Sequence, residues 1–258
     1  MDNRAIGVYD SGFGGLSVWR ELRRMLPEES LIYLGDGKNC PYGGRSREEI
    51  TAFAAAAVER LVAEGAKMVV VGCNTATTAA VEYLRNRWSE MPIVGLEPAV
   101  KPACLTSRTR RIAVLATEHS LRSDMFLSTA ARYASDVEVC KVVGEGFVEL
   151  VEQGLEHSAE AEMAVRKVVE PLLVEGIDKI VLGCTHYPFL RPLIEGVIGN
   201  RDIEVIDSGE AVARRVKWLL ERYDIAADGA ARPEFKFLSF APEEYRQRLE
   251  ERALSLEL

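Results

Sequence analysis

The chain has 258 residues, of which 48% are hydrophobic and 28% are charged, and its formal net charge is −8. This balance is typical of a globular protein and excludes disordered, collagen-like and fibrous chains. An acidic chain lacks the overall field that attracts phosphate backbones, so we expect no nucleic-acid partner.

Short apolar segments alternate with longer amphipathic ones along the chain. The predicted strands are 5–10, 30–36, 67–72, 92–97, 111–117, 137–142, 178–183 and 203–207. Amphipathic patterns predict helices over 15–26, 47–65, 161–176 and 209–223. This alternation predicts the α/β class, with mainly parallel, doubly wound sheets. Beyond residue 226 we expect an edge strand over 234–240 and a charged final helix, to which we assign no chemistry.

The sequence repeats itself internally. Residues 52–75 align without a gap on residues 163–186, which places Gly72-Cys73 on Gly183-Cys184. A slightly smaller offset aligns the first two strands with the fifth and sixth. Any two strand–helix units share apolar strands and glycine turns, but the matched Gly-Cys step favours a duplication. We therefore predict two pseudo-symmetric domains, 1–97 plus 208–258 and 98–207.

No apolar run approaches the roughly 18 residues that a membrane span needs, and the first residues lack the regions of a secretory signal. We expect a cytoplasmic protein with no membrane partner. The five cysteines are widely spaced and include no C-x-x-C pair, which fits neither a disulfide framework nor a zinc site. We expect reduced thiols and no bound metal.

Polar residues follow five of the predicted strands, where parallel sheets bind their ligands. They are Asp10-Ser11-Gly12, Asp36 with Cys40-Pro41-Tyr42-Gly43-Gly44, Cys73-Asn74-Thr75, Thr117, and Cys184-Thr185-His186. Convergence of these clusters predicts an active site in the cleft between the two domains.

The two repeated cysteines suggest a particular chemistry. Cys73 and Cys184 are each predicted to lie in a turn from strand to helix, where backbone N–H groups favour the thiolate. Equivalent thiols on opposite faces of one atom suit inversion at carbon: one thiolate removes a proton and the other thiol delivers one. A buried cysteine is usually a small apolar side chain, and this is our interpretation of Cys40, Cys104 and Cys140.

Three ionisable residues are predicted to assist. Asp10 ends the first strand, and Glu152 lies in the second half of the chain. His186 follows Cys184 by two residues, so it suits a proton carrier or an imidazolium that stabilises the thiolate. His119 and His157 have no comparable context, and we expect them at the surface.

Two other enzyme classes match part of the sequence. Gly12, Gly14 and Gly15 follow a strand as in a dinucleotide-binding turn, but the third motif position is Ser17, and a nicotinamide site leaves the second cysteine unexplained. Cys184 with His186 resembles a thiol hydrolase pair, which leaves Cys73 unexplained.

Taken in order, the motifs resemble those of bacterial glutamate racemases. They are Asp10-Ser11-Gly12 with Gly14-Gly15, Pro41-Tyr42-Gly43 with Arg45-Ser46, Cys73-Asn74-Thr75-Ala76, Glu97-Pro98-Ala99 and Cys184-Thr185-His186-Tyr187-Pro188. The resemblance implies a homodimeric, cofactor-independent enzyme of two α/β domains that supplies D-glutamate for peptidoglycan. It also implies that Cys73 and Cys184 are the acid/base pair. Unlike the family, this chain has no proline within 140–149, shortly before Glu152.

The resemblance also implies the substrate contacts, with Asp36, Glu152 and His186 as supporting polar groups; Thr117 joins them as a strand-end residue. The implied contacts are Asp10, Ser11, Pro41, Tyr42, Gly43, Asn74, Thr75, Thr185 and His186. Hydroxyls and backbone N–H groups of this kind can stabilise charge developing on an α-carboxylate, and the amides of the 41–44 turn suit a second carboxylate.

Two alternatives stay open. A relative acting on aspartate, a hydantoin or a malonate would use the same thiols. Aspartate is hard to exclude as the substrate, because it is one methylene shorter than glutamate and one methylene changes binding by only about 1–3 kcal/mol. A two-lobed amino-acid-binding protein would bind its ligand without needing either thiol.

Overall fold

The structure is a computed structural model that describes residues 1–256. The chain forms two compact units, Met1–Leu96 with the chain from Gly209 onward, and Glu97–Ser208. Among the described residues, no helix combines the length and the apolar character needed to cross a membrane.

The first stretch alternates strands with helices. In chain order it contains β1 (Ile6–Asp10), α1 (Leu16–Met25), β2 (Leu31–Gly35), α2 (Arg47–Ala63), β3 (Met68–Val71), α3 (Asn74–Arg87) and β4 (Ile93–Gly95). Ser46 begins α2 with a capping box, since its side chain accepts from the Glu49 N–H and the Glu49 side chain accepts from the Ser46 N–H.

The second unit repeats the alternation with shorter helices. It contains α4 (Val100–Thr106), β5 (Arg111–Ala116), α5 (Glu118–Arg122), α6 (Asp124–Tyr133), β6 (Glu138–Val143), α7 (Phe147–Glu152), α8 (Ala159–Val169), β7 (Lys179–Leu182), α9 (Arg191–Ile198) and β8 (Glu204–Ile206).

The chain from Gly209 onward completes the first unit with α10 (Gly209–Arg222), β9 (Phe235–Ser239) and α11 (Glu243–Ser255). β9 pairs in parallel with β2 at one edge of the sheet, as predicted for 234–240. The first sheet has the order β4-β3-β1-β2-β9, and all its strand pairs are parallel.

The second sheet has the order β6-β5-β7-β8, again with parallel pairs. Its strands therefore follow the same order as β2-β1-β3-β4 of the first sheet. The repeat offset holds at the level of single residues, because β3 (68–71) corresponds to β7 (179–182) and β4 (93–95) to β8 (204–206). The predicted α/β class with parallel sheets is confirmed.

Helices cover both faces of the central strands, which is why these strands are mostly apolar. Every residue of β1, β2, β3 and β7 is buried. The second unit has two apolar clusters, one that includes Phe147 and Tyr187 and one that includes Phe126.

One predicted helix is shorter than expected. The 161–176 pattern predicts a single helix, but α8 ends at Val169 and a 3-10 turn follows over Glu170–Val174. Pro171 explains the change, because a proline lacks the N–H that continues an α-helix.

Candidate functional site

In the first unit, three predicted site segments lie side by side. β1 is hydrogen-bonded to both β2 and β3, so the carboxyl ends of the three strands are adjacent. Asp10 ends β1, Asp36 directly follows β2, and Cys73 follows β3 after one glycine. The Asp36 N–H donates to the Asp10 carbonyl at 2.9 Å, which ties two of these segments together.

Cys73 begins helix α3. Its backbone is extended, with φ −134° and ψ 120°, and its Sγ accepts from the Ala76 N–H at 3.4 Å. The Ser11 Oγ lies 3.6 Å from the same sulfur. The thiol is 5% exposed and lies at the positive end of a 14-residue helix dipole. A helix start and an N–H donor favour a thiolate at such a position, whereas burial opposes it.

Asp10 shapes the turn that follows β1. Its Oδ1 accepts from the Gly12 N–H at 2.7 Å, and the Tyr33 hydroxyl donates to the Gly12 carbonyl at 2.8 Å. Gly15 packs so closely that an added Cβ would lie 2.6 Å from the Asp10 Cβ. The buried carboxylate and this glycine therefore hold Ser11 beside the sulfur of Cys73.

The turn that contains Tyr42 is held by a chain of buried hydroxyls. The Tyr42 hydroxyl donates to Asp36 Oδ2 at 2.6 Å, and the Tyr9 hydroxyl lies 2.7 Å from the Tyr42 oxygen. Asn39 donates to both oxygens of Asp36. Burial raises the pKa of Asp36, and burial also raises the pKa of Tyr9 and of Tyr42, so both phenols remain protonated.

The side chain of Asn74 contains a buried hydrogen-bond donor. The residue is 3% exposed, and its Nδ2 has no hydrogen-bond partner among the described residues. An unsatisfied buried amide is rare and costs about 1–3 kcal/mol. It lies directly after Cys73, and the neighbouring Thr75 is also buried. An acceptor bound next to Cys73 would satisfy this amide.

In the second unit, Cys184, His186 and Glu152 form a hydrogen-bonded row. The Cys184 Sγ lies 3.8 Å from His186 Nδ1, and His186 Nε2 lies 2.6 Å from Glu152 Oε1. Glu152 is the last residue of α7, and the helix begins after Gly146 in the left-handed conformation. Glu152 therefore reaches His186 although the preceding 140–149 stretch contains no proline.

The surroundings of His186 favour the imidazolium. The ring is 2% exposed, and burial alone would lower its pKa, but the hydrogen bonds to Cys184 and Glu152 outweigh burial and hold the pKa of His186 well above its ordinary value. A cationic ring beside a sulfur stabilises a thiolate. Burial and the nearby Cys184 sulfur raise the pKa of Tyr187, so that phenol stays neutral.

The remaining predicted residues are two threonines of the candidate site and two histidines that were expected at the surface. Thr117 begins α5, where its Oγ1 accepts from the Ser120 N–H at 3.3 Å, and Thr185 is buried beside Cys184. His157 is exposed as expected, whereas His119 is half-buried.

The other cysteines have different surroundings. All five are free. Cys104 lies in an apolar cluster, and Cys140 packs at the border of the other cluster. Burial raises the pKa of both thiols, which makes them poor nucleophiles. Cys40 is half-buried and precedes a cis peptide bond to Pro41.

The two Gly-Cys steps are held alike. The Gly72 N–H donates to the Tyr9 carbonyl at 2.6 Å, and the Gly183 N–H donates to the Leu115 carbonyl at 2.7 Å. Both glycines thus bond to the strand that carries the corresponding polar turn. The steps differ beyond the sulfur. The predicted turn from strand to helix is present at Cys73, but Cys184 leads into a 3-10 turn over Tyr187–Leu190, where Pro188 is near the start.

Sequence reasoning missed Tyr9 and Asn39, which hold Asp36 and Tyr42 in place. A signal was available for Tyr9, because a tyrosine inside a fully buried strand needs a partner for its hydroxyl. No signal pointed to Asn39, whose role depends on the path of the turn.

Each unit places a buried thiol and polar side chains after the carboxyl ends of parallel strands. This arrangement is typical of α/β enzymes, which bind their ligands there. Residues 6–216 match the family described as Asp/Glu/Hydantoin racemase. The chain belongs to this family and is an amino-acid racemase.

Similar proteins agree with this assignment. The glutamate racemase of Herpetosiphon aurantiacus is 47% identical over 87% of this chain and 88% of the relative, and that of Ectopseudomonas mendocina is 46% identical over 86% and 84%. Among solved structures, glutamate racemase isoform RacE1 from Bacillus anthracis superposes with a TM-score of 0.88 at 33% identity, covering 100% of this chain and 96% of that one. The Escherichia coli glutamate racemase bound to L-glutamate and the activator UDP-MurNAc-ala gives 0.85 at 32% identity, covering 97% and 95%.

Proposed function

We propose that this chain interconverts L- and D-glutamate without a cofactor, with Cys73 and Cys184 as the two acid/base groups. The observation that carries the proposal is the repeated Gly-Cys step, held by the same backbone hydrogen bond in each unit. Racemisation is symmetric in its two directions, and a duplicated thiol suits that symmetry.

The reaction balances with one thiolate and one thiol. The thiolate takes the α-proton, the electron pair stays on Cα and its carboxylate, and the opposite thiol gives its proton to the other face. The product leaves the first cysteine as a thiol and the second as a thiolate, which is the starting state of the reverse reaction.

The two sulfurs have different polar partners. Cys73 uses the start of α3 and its Ala76 N–H, whereas Cys184 uses the His186 imidazolium backed by Glu152. Neither arrangement ranks the enantiomers, so the proposal leaves open which cysteine deprotonates which.

The substrate is proposed to be held by the polar groups around each sulfur. Charge that develops on the α-carboxylate would be stabilised by the hydroxyls of Ser11, Thr75 and Thr185 and by the unpaired amide of Asn74. The backbone N–H groups of Tyr42 and Gly43, in the turn that Pro41 begins, suit the distal carboxylate, because the Tyr42 hydroxyl is already engaged by Asp36. Asp10 holds the turn that carries Ser11 on the side of the α-carboxylate. Thr117 caps α5 in the second unit.

The names of the relatives support the same substrate. They are glutamate racemases at 43–47% identity, and a glutamate racemase from Francisella tularensis, 26% identical, was solved with D-glutamate. We extend this to a homodimer in the cytoplasm that supplies D-glutamate for peptidoglycan, with free thiols that suit a reducing compartment.

A coupled assay on L-glutamate and L-aspartate tests the substrate. The purified protein, with no added cofactor, is expected to form D-glutamate with a kcat/KM at least tenfold above that for aspartate. One methylene is typically worth 10–200-fold. A preference for aspartate would overturn the substrate assignment, and absence of racemisation with both would overturn the proposed function.

A further inference from the structure

Helix α11 packs against the turns of the first unit that carry proposed substrate contacts. It follows β9, whose last residue, Ser239, donates from its hydroxyl to the Gly35 carbonyl at 2.7 Å. Leu249 of α11 is fully buried and lies against Gly35, where an added Cβ would be 3.3 Å from its Cδ2. The final helix therefore lies against the carboxyl end of β2.

Tyr245 of α11 lies against Gly37, in the turn after β2. A Cβ added to Gly37 would overlap three atoms of the Tyr245 ring. Gly37 does not adopt a left-handed backbone conformation. The glycine is therefore explained by the close approach of the ring and not by backbone strain.

The same ring also packs on the turn after β1. The ring centroids of Tyr245 and Phe13 are 4.8 Å apart, and the planes are tilted by 50°. The guanidinium groups of Arg248 and Arg252 each lie 5.5 Å from the centre of the Phe13 ring. Phe13 is 1% exposed and follows Ser11 and Gly12. One aromatic side chain thus contacts both turns.

We propose that Tyr245 is a positioning residue for substrate binding, acting through Phe13 and Gly37. This inference rests on the proposed function, which assigns Ser11, Tyr42 and Gly43 to substrate binding. Tyr245 holds the turns over 11–15 and 36–44 in their binding shape before the substrate arrives. If a turn becomes ordered only on binding, the entropic cost of ordering it weakens the affinity for the substrate. Removing the ring should therefore raise KM more than it lowers kcat.

The kinetic test compares three variants of α11 in the full-length protein. Tyr245→Ala is expected to raise the KM for glutamate about tenfold and to change kcat less than threefold. Tyr245→Phe keeps the ring on Gly37 and Phe13, so its KM should stay within about twofold of wild type. Arg246→Ala removes ion pairs to Glu243 and Glu250 on the same helix and serves as the control for simple loss of helix stability.

A double-mutant cycle tests the route through Gly37. Gly37→Ala alone should raise KM about tenfold, because the new methyl group and the ring cannot share the space. In the Tyr245→Ala background the same substitution should change KM less than twofold. Non-additivity of this size is the signature of direct contact.

Hydrogen exchange separates this inference from the proposed function, because it needs no substrate. Amides of 36–44 should exchange faster in Tyr245→Ala than in wild type, and at the wild-type rate in Arg246→Ala. If wild type fails to racemise glutamate but these exchange rates differ as described, the proposed function fails while the positioning contact stands. If Tyr245→Ala and Arg246→Ala give the same KM and the same exchange rates, or if Gly37→Ala is additive with Tyr245→Ala, the inference is wrong.

Discussion

His186 Nε2 lies 2.6 Å from Glu152 Oε1, while Nδ1 of the same ring faces the Cys184 sulfur at 3.8 Å. The carboxylate thus acts on the sulfur through the ring. Because burial opposes the imidazolium, the raised pKa of His186 depends on these two hydrogen bonds.

Replacing Glu152 should uncouple the row. In Glu152→Gln the neutral amide no longer offsets burial, so the pKa of His186 falls and the imidazolium is lost at lower pH. We expect kcat/KM for glutamate at pH 8 to fall about a hundredfold, in the range of acid–base effects, and the alkaline limb of the pH profile to move to lower pH. Glu149→Gln, an exposed change on the same helix, is the control. An unchanged alkaline limb in Glu152→Gln would contradict this role.

The same pair makes stability depend on pH. A histidine whose folded pKa is raised contributes stability that is fully present below its unfolded pKa of about 6.5 and is lost as pH rises through the folded value. The difference in free energy of unfolding between wild type and Glu152→Gln should therefore be larger at pH 6 than at pH 9. Urea titrations at the two values measure it, and a difference that grows with pH would refute the coupling.

Asn74 should behave as a binding residue that the fold does not need. Asn74→Ala removes an Nδ2 donor that has no hydrogen-bond partner within residues 1–256, so the melting temperature should hold or rise. The KM for glutamate should rise about tenfold, because a charge-assisted hydrogen bond is worth about 1.5–3 kcal/mol. Calorimetry and initial rates check both. A melting temperature lowered by several degrees with KM intact would mean that the amide serves the fold.

Tyr9 should affect substrate binding from inside the sheet. Since the Tyr42 hydroxyl donates to Asp36, Tyr9 must donate to Tyr42. Tyr9→Phe leaves the Tyr42 oxygen without this donor, and we expect a loss of about 1–2 kcal/mol in unfolding free energy with a several-fold higher KM. Tyr83→Phe, at an exposed position on α3, is the matched control. Equal results for the two variants would rule out the chain of hydroxyls as the support of the 41–44 turn.

The sequence predicted the sheets well because their signals are local. Each apolar run, such as 67–72 or 178–183, carries its own pattern, and the Gly-Cys match fixed the offset that relates β3 to β7. Pairing at a distance was less accessible. His186 and Glu152 are 34 residues apart, and their contact depends on where α7 ends, which no local pattern encodes.

Other misses have simple physical causes. The 161–176 helix was predicted too long because its apolar spacing continues past Pro171, and Pro188 likewise turns the segment after Cys184 into a 3-10 turn. The final helix received no role because its contact with Gly37 is visible only once a ring and a glycine are placed together.

A buried ion pair at the end of β3 opposite to Cys73 should matter for stability alone. Lys67 Nζ lies 2.7 Å from Glu29 Oε2, and Glu29 Oε1 accepts from the Ala227 N–H at 2.8 Å. Lys67→Met leaves a buried carboxylate without its cation, which should lower the unfolding free energy by about 3–5 kcal/mol. Arg60→Ala breaks a surface pair with Glu64 and should cost less than about 1 kcal/mol. Urea unfolding compares them; similar losses would contradict the burial argument.

The most direct test of the two-thiol account is proton NMR of each glutamate enantiomer in D₂O with wild type, Cys73→Ala and Cys184→Ala. Wild type should place deuterium at Cα while forming the opposite enantiomer. Each single variant should lose inversion by at least about 100-fold, and any exchange that remains should be confined to one enantiomer, a different one for each variant. If either variant still inverts glutamate at the wild-type rate, the two cysteines are not the acid/base pair.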